Sequence, residues 1–365
     1  MIGAGGTGGH IYPALAVVEA LYRQHPDAHN VTFIGSADGF ERPLIQQSGV
    51  TFAAYAEVQA GPLNGVGAAR ALVSAGRMAV GFVQALRLVL RHRPQCLLLT
   101  GGWANVPLAL AANLLRVPIL IFLPDIEPGR TIQLLARLPS HIALTVSDSA
   151  RYFPGKQATV TGYPLRESVL NATREAGLWH FGLRDDAPVL LVFGGSRGAR
   201  SINQTVEAVL PDLLADGWQI IHITGTLDAG RSAEAVAAYA GHPGYRAFAY
   251  LHADMGLAMA AADLVVCRAG ASTLGELPHF GLPAVLVPYP HAWQYQKTNA
   301  DYLTTRGAAV RLDDDRLLAE LLPLIRKLRA NQVQLEMMKG NARRLATNGA
   351  QNLANLLLSL AGEGA

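Results

Sequence analysis

Cysteine is close to absent: the 365-residue chain holds two, Cys96 and Cys267. They stand in opposite halves, each in an apolar run that reads as a strand, and neither has metal-site spacing around it. This excludes a disulfide scaffold and a zinc ribbon, and fits buried, unpaired thiols in a reducing cytoplasm.

Charge is sparse as well, at 16% against 50% hydrophobic residues, a composition that folds rather than staying disordered. The net charge of +3 does not point to nucleic acid, and no zinc-finger, RRM or basic-region pattern is present. Acidic residues are missing altogether between Glu57 and Asp125, while the same stretch carries Arg70, Arg77, Arg87, Arg91, Arg93 and Arg116. A basic, apolar surface suits an anionic membrane face, because Coulomb attraction adds to the burial of Leu, Val and Phe. A buried helix pair with a solvated arginine fringe gives the same pattern. The most apolar segment, Gln95–Pro124, is broken by Gly101, Gly102, Pro107 and Pro118, so it reads as strand, loop, helix, strand rather than as a membrane span. No signal peptide is expected ahead of the first motif.

What the chain does have is alternation. Its length exceeds that of one ordinary core, so two domains are expected. Short β-rich runs alternate with helical stretches, the pattern of parallel sheets with crossover helices. Strands are predicted at Val31–Gly35, Cys96–Thr100, Ile119–Phe122 and Ile142–Val146. Helices are predicted at Pro13–Gln24, opened by a proline in its first turn, and at Ala68–Arg91. The pattern restarts at Pro188–Phe193 and continues through Gln219–Thr224, Tyr245–Tyr250, Asp263–Cys267, Pro283–Pro288 and Ala308–Leu312. The expected division is 1–165 and 166–349, with an apolar helix over 350–365 packing back on the first domain. A doubly wound sheet places a strand of about five or six apolar residues before its first glycine loop. Only Met1 and Ile2 precede Gly3, so the first strand of the N-terminal sheet is expected to be missing and the chain start truncated or misassigned.

Three motifs carry chemistry. The first is Gly3-Ala4-Gly5-Gly6-Thr7-Gly8-Gly9-His10, where glycines allow a tight turn and a close ligand before a helix N-terminus. It contains G-x-G-x-x-G, but the next strand ends Ile34-Gly35-Ser36 with only Asp38 nearby, which argues against a nicotinamide site. The second, Gly194-Gly195-Ser196-Arg197-Gly198-Ala199, repeats the logic after Val189–Phe193. The third runs Cys267-Arg268-Ala269-Gly270-Ala271-Ser272-Thr273-Leu274-Gly275-Glu276, followed by Gly281-Leu282-Pro283. A carboxylate at Glu276, near the start of a helix, suits the paired hydroxyls of a ribose. Two phosphate-type loops suggest one ligand held in an interdomain cleft.

In this order and spacing the three motifs resemble the MurG-type glycosyltransferases (family 28), from Gly3 to about Ala346. The resemblance implies a GT-B fold, α/β, with two Rossmann-like doubly wound domains facing a cleft. It also implies transfer of N-acetylglucosamine from UDP-GlcNAc to the muramoyl sugar of undecaprenyl-linked lipid I, at the cytoplasmic face of the membrane, in peptidoglycan synthesis. By the same resemblance Thr7, Gly8 and Gly9 belong to a donor-and-acceptor loop, and His10 is a candidate catalytic group. Arg166 lies near the donor, Ser196 is the diphosphate-loop serine, and His252 contacts uracil through its backbone. Ala271, Ser272, Thr273, Leu274, Gly275 and Glu276 form the nucleotide loop, with Glu276 on the ribose, and Gln296 is one of a glutamine pair. The chain departs from the family where His-Glu-Gln-Asn is replaced by Phe122-Leu123-Pro124-Asp125. It departs again at Arg197 for glutamine, Tyr163 for asparagine and Trp103 for tyrosine.

The reaction so implied is one in-line, inverting displacement at the anomeric carbon. His10 is the side chain whose pKa suits a base at neutral pH, with Asp125 as the other candidate. Backbone N–H groups at 196–199, a helix N-terminus and Arg166 or Arg197 would stabilise the leaving diphosphate without a metal. Asp313-Asp314-Asp315 reads as a solvated turn and helix start. The alternatives are a transferase with another lipid-linked acceptor, a UDP-GlcNAc epimerase, and a non-catalytic nucleotide-sugar-binding module.

Overall fold

A computed structural model describes the chain except residues 7, 27–29, 40, 63–66, 139, 291–294 and 364–365. It divides into two units, Met1–Arg166 with Asn348–Ala365, and Glu167–Thr347.

The first unit is built on a seven-stranded sheet in the order β3-β2-β1-β4-β5-β6-β7. Its strands are β1 Ile2–Ala4, β2 Thr32–Ser36, β3 Ala54–Val58, β4 Leu97–Gly101, β5 Ile119–Leu123, β6 His141–Leu144 and β7 Ala158–Val160. All the pairings are parallel, so the strands are linked by crossovers and their central members are apolar on both faces.

The strand expected to be missing is present in shortened form. Ile2–Ala4 fills the centre of the sheet, with Ile2 opposite Phe33 on one side and Leu98 on the other. Three residues suffice because the strand pairs with β2 on one side and β4 on the other, and Met1 extends the β4 side: Met1 N donates to Cys96 O at 3.0 Å and Leu98 N to Met1 O at 3.0 Å. Ile2 and Ala4 are fully buried, and a Cβ on Gly3 would come within 2.5 Å of Asn105 Oδ1, so the crossover helix seats directly on the strand.

The helix after β1 spans Gly8–Gln24, with Pro13 inside it rather than in its first turn. A proline there forfeits one backbone bond. Burial of Ile11 before it and Leu15, Val17 and Val18 after it holds the helix through that position, since tertiary packing supplies most helical stability. The final helix, Gly349–Glu363, packs on this same helix. Gln24 Nε2 donates to Asn355 Oδ1 at 2.8 Å, and Asn352 Nδ2 to Thr161 O at 2.9 Å.

The acid-free stretch forms the 25-residue helix Ala68–His92. It packs on the helix Asn105–Leu114, yet Leu72, Val73, Val80, Val83 and Leu90 remain 47–77% exposed. Val73, Val80, Val83 and Leu90 follow spacings that keep them on one side of the helix, where Arg87 and Arg91 are exposed as well. The helix is long and apolar enough by composition to cross a membrane, although 22% of its most apolar window is buried in protein.

The second unit has a six-stranded parallel sheet in the order β10-β9-β8-β11-β12-β13. The strands are β8 Val189–Phe193, β9 Gln219–Ile223, β10 Tyr245–Phe248, β11 Leu264–Cys267, β12 Ala284–Leu286 and β13 Ala309–Arg311. An apolar cluster joins the sheet to the helices Arg200–Ala215 and Leu317–Ala330 through Leu190, Val206, Ile220, Val285 and Leu321. Both cysteines are buried and free.

Candidate active site

In a doubly wound sheet a crevice opens at the carboxyl ends of the strands where the strand order reverses, because the crossover helices leave to opposite faces. In the first unit that point lies between β1 and β4, and in the second between β8 and β11. The first and second glycine motifs and the Cys267–Glu276 block all follow strands that border these two points.

At the first crevice the loops after β1 and β4 are in backbone contact. Gly5 N donates to Gly101 O at 3.1 Å, and a Cβ on Gly102 would come within 2.4 Å of Gly5 O. His10 sits between them. Its Nδ1 is 2.8 Å from Gly5 O; a carbonyl only accepts, so Nδ1 carries the proton and Nε2 holds the basic lone pair. Thr100 Oγ1 donates to His10 O at 2.7 Å. A Cβ on Gly101 would lie 2.4 Å from His10 Cδ2, so only glycine leaves room for the ring. Burial pushes the His10 pKa below the ordinary histidine value, opposed by the Gly5 bond and the charge of Asp125. Asp125, the other residue proposed as a base, is thus close enough for its charge to act on His10. Gly8 and Gly9 open the helix; Thr7 lies outside the described residues. Arg166 places its guanidinium 4.7 Å from the ring centre of Tyr12.

Gly6 N donates to Oε1 of Glu41 at 3.1 Å, and Glu41 is fully buried. The first glycine loop therefore already holds a carboxylate belonging to the protein, which disfavours an anion at that N–H. Nothing in the sequence motif announces this residue.

The second crevice has the opposite charge. Gly195 and Gly198 both have φ of +91°, and Gly198 N donates back to Gly195 O at 3.0 Å. Beside this loop lies a cavity of ≈ 760 Å³ lined by Arg197, Arg200, Arg231, Arg268, Tyr289 and Gln296, among others. Arg231 pairs with Asp228 at 2.7 Å. Arg268 is buried and pairs with Asp314, donates to Ser201 Oγ at 2.9 Å and lies 5.4 Å from the ring centre of Tyr289. Residues 313–315, expected as a solvated turn and helix start, lead into the helix Leu317–Ala330, but the Asp314 side chain is only 21% exposed and is spent on that ion pair. No carboxylate partner is seen for Arg197 or Arg200 among the described residues, so the cavity carries excess positive charge at the start of the Arg200–Ala215 helix. Guanidinium groups and free helix N–H groups together suit a diphosphate.

The third motif turns from β11 into the helix Thr273–Phe280. Thr273, Leu274 and Gly275 are buried in that helix, so they contribute backbone, while half-buried Ala271, Ser272 and Glu276 line its outer start. Ser196 is exposed, with its carbonyl taken by Thr226 N at 3.1 Å. The ring of exposed His252 rests 4.6 Å from that of Tyr250, and Gln296 Oε1 accepts from Tyr289 N at 2.9 Å. Among the described residues no group of three or more His, Cys, Asp or Glu side chains is arranged to hold a metal ion.

Two α/β units with glycine loops at their switch points define a GT-B glycosyltransferase architecture. Residues 1–144 match the glycosyltransferase family 28 N-terminal domain and residues 189–357 the family 28 C-terminal domain, and the chain belongs to glycosyltransferase family 28. It is 39% identical to a protein of Roseiflexus sp. over 98% of this chain and 93% of that one. It is 38% identical to one of Desulforudis audaxviator over 100% and 99%. Both are named UDP-N-acetylglucosamine–N-acetylmuramyl-(pentapeptide) pyrophosphoryl-undecaprenol N-acetylglucosamine transferase. The crystal structure of MurG from Acinetobacter baumannii superposes with a TM-score of 0.75 at 28% identity, covering 98% of this chain and 99% of that one. A UDP-GlcNAc 2-epimerase from Neisseria meningitidis bound to UDP-GlcNAc reaches a TM-score of 0.69 at 13% identity, over 98% and 99%, which is likeness of fold alone.

Proposed function

We propose that this chain transfers N-acetylglucosamine from UDP-GlcNAc to undecaprenyl-diphosphate-linked N-acetylmuramoyl-pentapeptide, converting lipid I to lipid II. The reading rests on the full-length similarity to relatives named for that reaction, and the two crevices supply chemistry that fits it. The diphosphate lies along the 194–199 loop with Arg197 and Arg200, and Glu276 takes the ribose hydroxyls. Nε2 of His10 accepts the proton of the attacking sugar hydroxyl while UDP leaves, and Asp125 stabilises the imidazolium that forms. Positive charge and loop N–H groups at the diphosphate lower the cost of the leaving group's developing charge.

The exposed Val and Leu face of the Ala68–His92 helix, with its arginines, supports a peripheral site on an anionic membrane surface. A helix carrying Arg70, Arg77, Arg87 and Arg91 along its length is better suited to lie in the interface than to cross the bilayer.

One observation favours a second reading, a transferase with another lipid-linked acceptor. Phe122 and Leu123 are fully buried and Pro124 offers no side-chain polarity, so Asp125 alone supplies polar chemistry in that segment. UDP release from UDP-GlcNAc is the test. Release with lipid I in detergent supports the main reading, and release only with a different lipid-linked acceptor supports the second. Formation of a free 2-epimer, or binding without turnover, refutes both.

A further inference from the structure

A buried line of side chains runs from β10 to the second glycine loop. His222, in the middle of β9, is fully buried. Its Nδ1 is 2.9 Å from the Tyr245 hydroxyl and its Nε2 is 3.1 Å from Asn203 Oδ1. Asn203 in turn places Nδ2 2.8 Å from Thr224 O. The direction of every bond follows from its last member. The Thr224 carbonyl only accepts, so the Asn203 amide turns its nitrogen there and its oxygen to His222. Nε2 then carries the imidazole proton, and Nδ1 accepts from Tyr245.

The end of this line is the 224–227 turn, and that turn shapes the glycine loop. A Cβ on Gly225 would come within 2.0 Å of Gly198 N, and one on Gly198 within 2.2 Å of Thr224 O, so the two backbones are in direct contact. Thr226 N donates to Ser196 O at 3.1 Å and Leu227 N to Arg197 O at 3.3 Å. A trans peptide points its C=O and N–H in opposite directions. With the Ser196 carbonyl drawn to Thr226, the N–H of Arg197 faces the other way, available to an anion.

We propose that His222 is a positioning residue for the diphosphate of the donor. Through Asn203 it fixes Thr224, the 224–227 turn then fixes the Ser196–Arg197 peptide, and that peptide presents its N–H to the phosphate oxygens. The inference rests on the reading that the 194–199 loop holds the donor diphosphate. Nothing in it requires His222 to touch the ligand.

Calorimetric binding of UDP and of uridine separates the diphosphate contribution from the rest of the nucleotide. The full-length protein binds UDP far more tightly than uridine. His222→Leu weakens UDP binding roughly tenfold, the scale of one well-placed hydrogen bond, while uridine binding stays within about twofold. His222→Gln restores UDP binding, because its amide can donate to Asn203 and accept from Tyr245. Should His222→Leu fail to fold, Tyr245→Phe weakens UDP but not uridine by a smaller factor in the same assay. A UDP-to-uridine ratio unchanged in His222→Leu, or in Tyr245→Phe where that variant stands in for it, overturns the inference and leaves the diphosphate reading intact. So does a His222→Gln protein as impaired as His222→Leu, which would mark the site as packing only. A wild-type protein that binds uridine and UDP alike refutes the diphosphate reading itself, and this inference with it.

Discussion

His10 Nδ1 lies 2.8 Å from the carbonyl oxygen of Gly5, and this contact decides which nitrogen of the ring is basic. A proton held on Nδ1 leaves Nε2 as the acceptor. Burial then keeps the imidazole neutral at pH 7 by lowering its pKa, against the opposing pull of Gly5 and Asp125. A base with a depressed pKa is active when deprotonated. The turnover number is therefore expected to be flat from neutral pH upward and to fall as the pH drops below the ordinary histidine range. His10→Ala should lower the turnover number by roughly 10²–10⁴ and abolish that acid limb. Donor binding should change little, as a pH–rate profile with saturating UDP-GlcNAc would show.

His222 makes a second, separate pH prediction, on stability rather than rate. Burial holds its pKa at about 4 against an ordinary 6.5, and the groups bonded to it, Tyr245 and Asn203, carry no charge to balance an imidazolium. The unfolded chain takes up a proton below 6.5 and the folded chain does not. Its contribution to stability is therefore full above pH 6.5, is lost as pH falls towards 4, and levels off below that. The whole loss is about 3 kcal/mol. Urea unfolding at a series of pH values should show this slope in the wild type and a shallower one in His222→Gln.

Gly198 combines a φ of +91° with a Cβ position 2.2 Å from Thr224 O. Alanine there is expected to cost about 1–3 kcal/mol through strain and to displace the loop, weakening UDP binding as well. Gly230 is the control: no atom lies within 4 Å of its Cβ position. Gly230→Ala should leave thermal stability and UDP binding essentially unchanged.

The exposed side of the Ala68–His92 helix predicts vesicle binding. The double variant Val73→Ser, Val80→Ser should co-sediment less with vesicles containing anionic phospholipid while keeping its affinity for UDP. Arg87→Glu should reduce the salt-sensitive part of binding by about 1 kcal/mol or more. Equal binding of all variants would remove this side from the membrane reading.

Much of this architecture was legible in the sequence because it is written in local signals. The inner strands β4, β5, β8 and β11 are buried on both faces and read as continuous apolar runs. The glycine loops read from residue type alone, because positive φ and close backbone approach demand glycine. The elements that escaped lacked such signals. β3 is half-buried and β7 exposed along its length, as edge strands are, and neither gives a strong apolar pattern. β1 has three residues and is defined by its partners rather than by its own sequence. The site was least legible where it depends on contacts distant in sequence. Arg268 with Asp314, His222 with Asn203, and Glu41 with Gly6 each join segments that no motif connects. The substitution of Arg197 was visible, whereas the excess charge it leaves in the cavity follows from where Asp228 and Asp314 are spent.

The most direct measurement is mass spectrometry of the lipid product after incubating the full-length protein with UDP-GlcNAc and lipid I in detergent. The expected product is an acceptor heavier by one N-acetylhexosamine, with UDP released in equal amount and the new glycosidic bond inverted relative to the donor. An unmodified lipid I, with UDP-GlcNAc intact or merely epimerised, would contradict it.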